Sequence, residues 1–278
     1  MRNAINLPIW LLATFLAICL GAIPALALEV EYDGIIKPHA VVELGSPAEG
    51  VVAKVAVERS AMVKKGQTLV ELESSVQRAT VKKATAMANF DGEIALQKAQ
   101  LAFAKRAQSR IKDLGSFSAH DKDQAATNVV RTGFKLIKAQ EDNRLAKLEL
   151  AKASAMLALH FVKSPISGVV VDRYVSPGEY VNSQPLLQVA QINPLRVEVI
   201  VPAQMFGKIS PEMTAIIIPE LAVYGQQKAT VRLVDKVIDP ASSTFGVSLE
   251  LPNPDYQIPS GLKCLVRFEI SETADEVK

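Results

Sequence analysis

The sequence has only two cysteines in 278 residues, Cys19 and Cys264. Cys19 lies in an apolar N-terminal run, so the chain beyond that run can form neither an internal disulfide nor a cysteine-based metal cluster. Histidine is also scarce. His39, His120 and His160 are scattered, with no cysteine or carboxylate at ligand spacing. The sequence therefore predicts neither a disulfide framework nor a metal centre.

Long apolar runs are absent beyond the N-terminus. The one such run, Ile9 to Leu20, follows Arg2 and precedes a small-residue tripeptide that ends at Ala27. This order is typical of a secretory signal, so we expect export and cleavage after Ala27. An uncleaved anchor is the alternative, although the run is shorter than the ~20 residues of a spanning helix. Lipidation at Cys19 is disfavoured because a large residue precedes it.

Proline is absent between Ala48 and Ser164, although the chain has 15 prolines in all. Because proline breaks helix interiors, this absence is typical of a long helical block. Ser74 is its predicted start, since Ser74 and Gln77 have the spacing of a capping box. We predict that residues 74–162 form a helical hairpin.

The turn of this hairpin is predicted near its middle. Gly115, after Leu114, can end the first helix in the left-handed conformation, and a capping-box pattern at Ser118 begins the second. We expect the first helix to be continuous. A break at residues 89–92 is the alternative, because Gly92 costs a helix interior about 1 kcal/mol relative to alanine.

Two heptad-like stripes are expected to form the seam between the two helices. The first contains Met87, Phe90, Ile94, Gln97, Leu101, Ala104, Gln108 and Ile111. The return stripe contains Val130, Phe134, Ile137, Leu145, Leu148, Ala155 and Leu159. Such a narrow, alanine-rich seam favours two closely packed helices over a globular core.

The segments that flank the hairpin repeat one another. SPAEGVV at 46–52 and SPISGVV at 164–170 are 118 positions apart, and the ungapped match continues to Leu69 and Leu187. Each copy reads as a few short β-branched strands, too small to bury a core alone. We predict that the two copies pack on each other and that the hairpin is inserted between them.

The remaining sequence alternates between apolar runs and Pro, Gly or Asn, which predicts a small β-barrel. The predicted parts are a signal peptide (1–27), the barrel (28–45 and 191–270), a split β domain (46–73 and 163–190), the hairpin (74–162) and a polar tail (271–278).

The two repeat segments, SPAEGVVAKVAVERSAMVKKGQTLVELE and SPISGVVVDRYVSPGEYVNSQPLLQV, resemble the two halves of a lipoyl-like domain. That domain belongs to periplasmic adaptor subunits, the membrane fusion proteins of HlyD type in tripartite efflux and secretion systems. The C-terminal strands resemble the β-barrel of the same family. The resemblance implies an elongated α+β multidomain fold: a split lipoyl-like domain (barrel-sandwich hybrid), an inserted α-helical coiled-coil hairpin and a small β-barrel.

The same resemblance implies a function and partners. The chain would link an inner-membrane transporter to an outer-membrane exit duct of TolC type, as a trimer or hexamer, at the inner membrane of a Gram-negative periplasm. We expect a transporter of the resistance-nodulation-division (RND) type, with an ATP-driven (ABC) exporter as the alternative. A structural envelope protein that self-associates through its hairpin is a further alternative.

Three residues are candidate contacts with the duct. Members of this family often carry Arg, Leu and Ser at the hairpin tip, and Arg110, Leu114 and Ser118 stand at the matching places, with a loop about three residues shorter. Each has a simpler explanation. Ser118 can be a helix cap, Leu114 can close the apolar end of the hairpin, and Arg110 can be a solvated charge.

No pattern indicates catalysis or a cofactor. The junction ESSVQRAT has no lysine where a lipoyl or biotinyl carrier would need one. A nucleophile elbow and a phosphate-binding loop are also missing from the sequence. We predict a non-enzyme without a cofactor.

Charge is unevenly distributed along the chain. Residues 74–162 have 15 Lys and Arg against 8 Asp and Glu, whereas the rest of the chain after Ala27 has 15 against 21. The basic hairpin fits a solubilising surface or an acidic partner. Nucleic-acid binding is disfavoured because the hairpin's few phenylalanines offer no stacking platform.

Overall fold

The structure is a computed structural model that describes residues 30–114 and 116–269. The predicted signal peptide, Gly115 and the predicted polar tail lie outside the described residues. The described chain forms two units. We call them the barrel unit (residues 30–36, 197–251 and 262–269) and the hairpin unit (residues 37–114, 116–196 and 252–261).

The elements are numbered in chain order. The strands are β1 (Tyr32–Gly45), β2 (Gly50–Val55), β3 (Met62–Val63), β4 (Thr68–Leu72), β5 (Phe161–Lys163), β6 (Gly168–Arg173), β7 (Tyr180–Val181), β8 (Pro185–Pro202), β9 (Thr214–Pro219), β10 (Gln227–Val234), β11 (Thr244–Leu251) and β12 (Lys263–Phe268). The helices are α1 (Ser75–Ala88), α2 (Gly92–Asp113) and α3 (Ala119–Ala158), with 3-10 turns at Ala203–Met205 and Ala222–Tyr224.

The barrel unit follows the strand order β1-β12-β9-β10-β11-β8, and pairing of β1 with β8 closes it. Buried and half-buried residues alternate along β9 and β11, so every second side chain of these strands faces the core. Gly34 lies where a Cβ would approach the side chains of Val199, Val266 and Cys264 within 3.2 Å. Burial raises the pKa of the Cys264 thiol to about 11, so this cysteine stays neutral within the core.

The two repeat copies pair with each other by the same rule in both directions. Gly50 of the first copy pairs with Val181 of the second. Their equivalents, Gly168 in the second copy and Val63 in the first, also pair with each other. The backbone repeats the symmetry, because N–H of residue 60 donates to O of residue 170 and N–H of residue 178 to O of residue 52, both at 2.8 Å. The prediction that the copies pack on each other is confirmed.

The serine that opens each copy has a local role. The hydroxyl of Ser46 donates to the carbonyl of Ala48 at 2.6 Å, and that of Ser164 donates to the carbonyl of Ile166 at 2.6 Å. Each serine thus closes the turn that leads the chain into its strand. Behind these turns, the largest fully buried side chains of the joint core are Val52, Leu69, Val70, Leu72, Val170, Leu186 and Leu187.

The first helix of the hairpin is not continuous, so that expectation was wrong. The chain leaves the helix at Asn89 and re-enters it at Gly92. On the opposite helix, the side-chain amide of Asn143 donates to the carbonyls of Ala88 and Phe90, both at 3.1 Å. The break persists because a distant side chain supplies the donors that these carbonyls lack.

Both ends of the predicted helical block also need correction. Ser74 precedes α1, but its side chain makes no capping bond; the carboxylate of Glu73 accepts from the N–H of Ser75 at 2.8 Å instead. At the other end α3 stops at Ala158. Phe161 and Val162 lie in β5 instead, where they form backbone pairs with β4 and do not extend the helix.

The seam between the helices is only partly the predicted one. In α2, Gln97 and Ala104 are buried and Ile94, Leu101, Gln108 and Ile111 are half-buried, as expected. In the return stripe every predicted residue is exposed, as are Met87 and Phe90. The buried residues of α1 and α3 are instead Ala84, Ala88, Thr132, Ala139 and Ala153. Small side chains line the seam because they allow the helices to approach closely.

One buried group in this seam is only half satisfied. The side-chain amide of Gln97 donates to Glu93 at 2.7 Å, but its Oε1 has no hydrogen-bond partner within the described chain. Burying an unpaired polar oxygen costs about 1–3 kcal/mol.

Gly168 and Gly50 occupy equivalent places in the two copies but differ in the space around them. A Cβ at Gly168 would overlap the backbone carbonyl of Ala190, whereas at Gly50 it would meet only Leu72 at 3.9 Å. We expect Gly168→Ala to lower the free energy of unfolding by about 3 kcal/mol. Gly50→Ala is the matched control, with a change within about 0.5 kcal/mol. Chemical denaturation measures both, and equal effects would contradict the packing described.

Gln97→Leu should stabilise the hairpin by about 1 kcal/mol, because it removes the unpaired oxygen and keeps the volume of the side chain. The helical transition followed by circular dichroism should move to higher temperature. Gln108→Leu, at a half-buried position of the same seam, is the comparison and should have a smaller effect. A lower transition temperature for Gln97→Leu would mean that the amide oxygen has a stabilising partner.

Candidate functional site

The three candidate contact residues lie at one end of the hairpin, which we call the hairpin tip (residues 110–114 and 116–121). Arg110 lies in the last turn of α2 and is exposed. Leu114 follows α2 in an extended conformation, with 54% of its side chain exposed. Ser118 is the residue that immediately precedes α3.

Ser118 is engaged as a helix cap. Its Oγ accepts from the N–H of Asp121 at 3.2 Å and donates to Oδ2 of the same residue at 2.7 Å. The carboxylate of Asp121 in turn accepts from the N–H of Ser118 at 3.2 Å, which completes the predicted capping box. The hydroxyl is therefore already occupied by its own helix.

The same bonds fix the charge state of the tip. Hydrogen bonds from the side chain and backbone of Ser118 hold the pKa of Asp121 below its ordinary value of 3.8. A lowered pKa means that the ionised cap stabilises the helix above that ordinary value and fails only as pH falls through the lowered one. The cap is consequently intact at neutral pH.

The rest of the tip is available to a partner. Leu114 and Phe117 are exposed apolar side chains, at 54% and 40%. Arg110 and Lys112 add two cations at the C-terminal end of α2, where they also interact favourably with the helix dipole. Phe117 was not selected from sequence; its only signal was a large apolar residue in an otherwise polar turn.

A second exposed surface runs along α3. We call it the outer stripe, and its members are Val130, Phe134, Ile137, Leu145 and Leu148, each more than half exposed. At about 100° per residue these positions lie on the face of α3 opposite Thr132, Ala139 and Ala153. The predicted seam residues of α3 thus form an apolar surface on the outside of the hairpin, interrupted by the exposed Glu141.

The junction where a carrier protein would hold its cofactor contains no lysine. Glu73, Ser74 and Ser75 occupy it, and the bond from the Ser75 N–H lowers the pKa of the Glu73 carboxyl. Across residues 30–114 and 116–269, no group of three or more His, Cys, Asp or Glu is arranged to hold a metal ion. None of the helices in this part of the chain is both long and apolar enough to cross a membrane.

Comparison with known families gives the deciding observation. Residues 40–191 match the CzcB-like barrel-sandwich hybrid domain, a stretch that includes both repeat copies and the whole hairpin between them. The chain belongs to this family of membrane fusion proteins. Such adaptors serve efflux and export systems and are in general not enzymes.

Two relatives share the adaptor sequence at moderate identity. The chain is 28% identical over 271 residues to the pyoverdine export membrane fusion protein PvdR of Pseudomonas putida (strain KT2440), covering 87% of this chain and 69% of that one. It is 28% identical over 190 residues to the protein of the same name from Pseudomonas aeruginosa (strain PAO1), covering 66% of this chain and 49% of that one. The chain thus spans about half the length of this second adaptor.

A solved adaptor structure shows the same fold. MacA from Actinobacillus actinomycetemcomitans superimposes with a TM-score of 0.63 at 22% identity, covering 87% of this chain and 78% of that one. The predicted fold class, a barrel-sandwich hybrid with an inserted helical hairpin and a β-barrel, is confirmed.

The capping box gives a direct test of what Ser118 contributes to the adaptor. Ser118→Ala should destabilise the start of α3 by about 1 kcal/mol, because the N–H of Asp121 loses its acceptor. Ser118→Asn should preserve the helix start, because Asn caps about as well as Ser. Hydrogen exchange of the first-turn amides of α3 measures both. Equal protection in the two variants would contradict the capping role.

Proposed function

We propose that this membrane fusion protein works in the periplasm, where it links an inner-membrane transporter to an outer-membrane exit duct of TolC type for small-molecule export. The observation that carries the proposal is the hairpin itself. It is inserted between two halves of one β unit and ends in a tip with exposed Arg110, Leu114 and Phe117. An arm of this kind can reach a partner at a distance from the split β domain that carries it.

The tip would contact the duct through two kinds of interaction. Leu114 and Phe117 supply apolar area, and Arg110 supplies a planar cation that can bond carboxylates or backbone carbonyls. Ser118 contributes by holding the start of α3, since its hydroxyl is used in the capping box. Ser118 would thus belong to the contact surface as a positioning residue.

For the transporter and the cargo, the proposal names only a class of partner and a class of molecule. The two relatives are named for pyoverdine export, which supports a small exported molecule as the cargo. An RND transporter and an ABC exporter both remain candidates for the inner-membrane partner. Co-purification of the full-length adaptor from membranes, followed by mass spectrometry, would identify the transporter and its class.

A second candidate function is a structural role in the envelope through self-association of the hairpin. The outer stripe favours it, because exposed apolar surface of this extent is typical of an interaction site. The two functions separate in a transport experiment. Loss of the gene should abolish export of the cargo if the chain is an adaptor, and should leave export unchanged if it is only structural.

The tip contact can be tested with a pair of matched variants. Arg110→Glu combined with Leu114→Ser should reduce export at least about tenfold, because the charge is reversed and the apolar contact removed. Lys112→Glu changes a neighbouring exposed cation by the same charge and should reduce export much less. Circular dichroism should show unchanged helix content in both. Normal export by the double variant, with intact folding, would contradict duct contact at these residues.

A further inference from the structure

The break between α1 and α2 produces a groove on the flank of the hairpin. The groove has a volume of about 450 Å³. It is lined by Ala86, Met87, Phe90, Glu93, Ile94, Ala139, Asp142, Asn143 and Ala146. Its walls are mostly apolar, and we call it the hairpin groove.

The groove is held open by specific bonds. Asn143 binds the carbonyls of Ala88 and Phe90, so the chain between α1 and α2 cannot rejoin as one helix without losing both bonds. This leaves Met87 56% and Phe90 67% exposed. A large aromatic side chain kept in water by a built backbone break indicates a surface that is covered in the working assembly.

The rim of the groove is acidic, although the hairpin as a whole is basic. Glu93 and Asp142 are both exposed lining residues. Across the described chain neither carboxylate forms an ion pair. An apolar floor with two carboxylates that lack an ion-pair partner fits an occupant that presents a bulky apolar side chain next to a cation.

The chain carries a matching surface beside the groove, on the outer face of α3. Phe134 and Leu145 belong to the outer stripe, and Lys138 lies on the same face of α3, one helical turn from Phe134 and two turns from Leu145. Lys138 makes no ion pair with any residue that the structure describes, whereas the neighbouring Arg144 is paired with Glu141 at 2.8 Å. The outer stripe therefore offers an apolar side chain and an available cation.

The heights of the two surfaces along the hairpin also agree. The bonds from Asn143 to residues 88 and 90 place these positions at one level. Leu145 is two residues from Asn143, about 3 Å along the helix axis. Lys138 is five residues from Asn143, about 7.5 Å along the helix axis toward the tip. Glu93 lies in the same direction from Phe90. Copies related by rotation about an axis parallel to the hairpin keep the same level. Leu145 of one copy would then lie within about 3 Å of the level of Phe90 in the next, and the long side chain of Lys138 would extend toward Glu93.

We propose that the hairpin groove is the acceptor for the outer stripe of a second copy of this chain. The interface is heterologous, because the groove and the stripe are different surfaces of one hairpin. Such an interface closes into a ring of three or more copies instead of a two-fold dimer. This inference rests on the proposed adaptor function, which needs an assembly around a passage, and adds which surfaces build it.

Disulfide trapping tests the arrangement with the full-length protein. Phe90→Cys and Leu145→Cys are made separately, purified and then mixed under mild oxidation. We expect a disulfide-linked dimer between the two variants in the mixture and little in either variant alone. The unsubstituted protein is the blank for its own cysteines, and Lys147→Cys mixed with Phe90→Cys is the control for a position on another face of α3.

A charge experiment tests the rim without cysteines. Glu93→Gln with Asp142→Asn keeps the size of both side chains and the acceptor for Gln97, but removes both charges. Sedimentation should show self-association about fivefold weaker, with a smaller dependence on salt, as expected for the loss of exposed ion pairs. Lys138→Gln should have the same effect, and combining it with the rim variant should add little.

The outcomes separate this inference from the proposed function. Strong cross-linking of Phe90→Cys alone, or none in the mixture, would overturn the heterologous contact even if the gene is required for export. Unchanged self-association of the rim variant would also count against it. If the mixture cross-links but loss of the gene leaves export unchanged, the ring stands and the adaptor function fails.

Discussion

The structure of the hairpin unit depends on the exchange of strand pairings between its two repeat copies. Neither copy can satisfy its own edges, because β2 of the first pairs with β7 of the second and β3 of the first pairs with β6 of the second. Folding of the unit therefore requires that residues 46–73 and 161–190 meet. Whatever lies between them must leave and return at the same place, and the antiparallel helices of the hairpin do so.

The base of the hairpin shows how this constraint is applied. Strand β4, which precedes α1, pairs with β5, which follows α3, and the N–H of Leu72 donates to the carbonyl of His160 at 2.9 Å. The guanidinium of Arg78 in α1 lies 5.9 Å from the ring centroid of Phe161. The shared sheet thus holds the start of α1 next to the end of α3, and a small-residue seam keeps the helices together toward the tip.

Much of this arrangement could be predicted from the sequence because it is written in local or repeated patterns. The repeat offset predicted the mutual packing, and the capping box at Ser118 placed the start of α3. The seam could not be predicted, because α3 has two stripes on opposite faces and periodicity does not tell which one faces inward. Large residues suggested a core, yet close helix approach selected Ala139 and Ala153.

The helix break and the cap at Ser74 failed for a different reason. Each depends on a hydrogen bond that the local sequence spacing does not reveal. Asn143 donates to carbonyls more than 50 residues away, and Glu73, not Ser74, accepts from the N–H at the start of α1. At the tip, the sequence could propose Arg110, Leu114 and Ser118 as contacts, but it could not show which of these side chains are free to bind a partner. Two are exposed side chains and the third is occupied by its helix, which is a matter of geometry.

The size of the exposed outer stripe limits how the hairpins associate. Its five side chains are each more than half exposed. Covering the exposed part would contribute about 1 kcal/mol for each side chain, or about 5 kcal/mol for one stripe. Association costs about 4–15 kcal/mol in lost freedom before any contact is counted. The hairpin contact alone is therefore close to balance. A stable ring therefore needs further contacts, either between the β domains of neighbouring copies or with membrane partners.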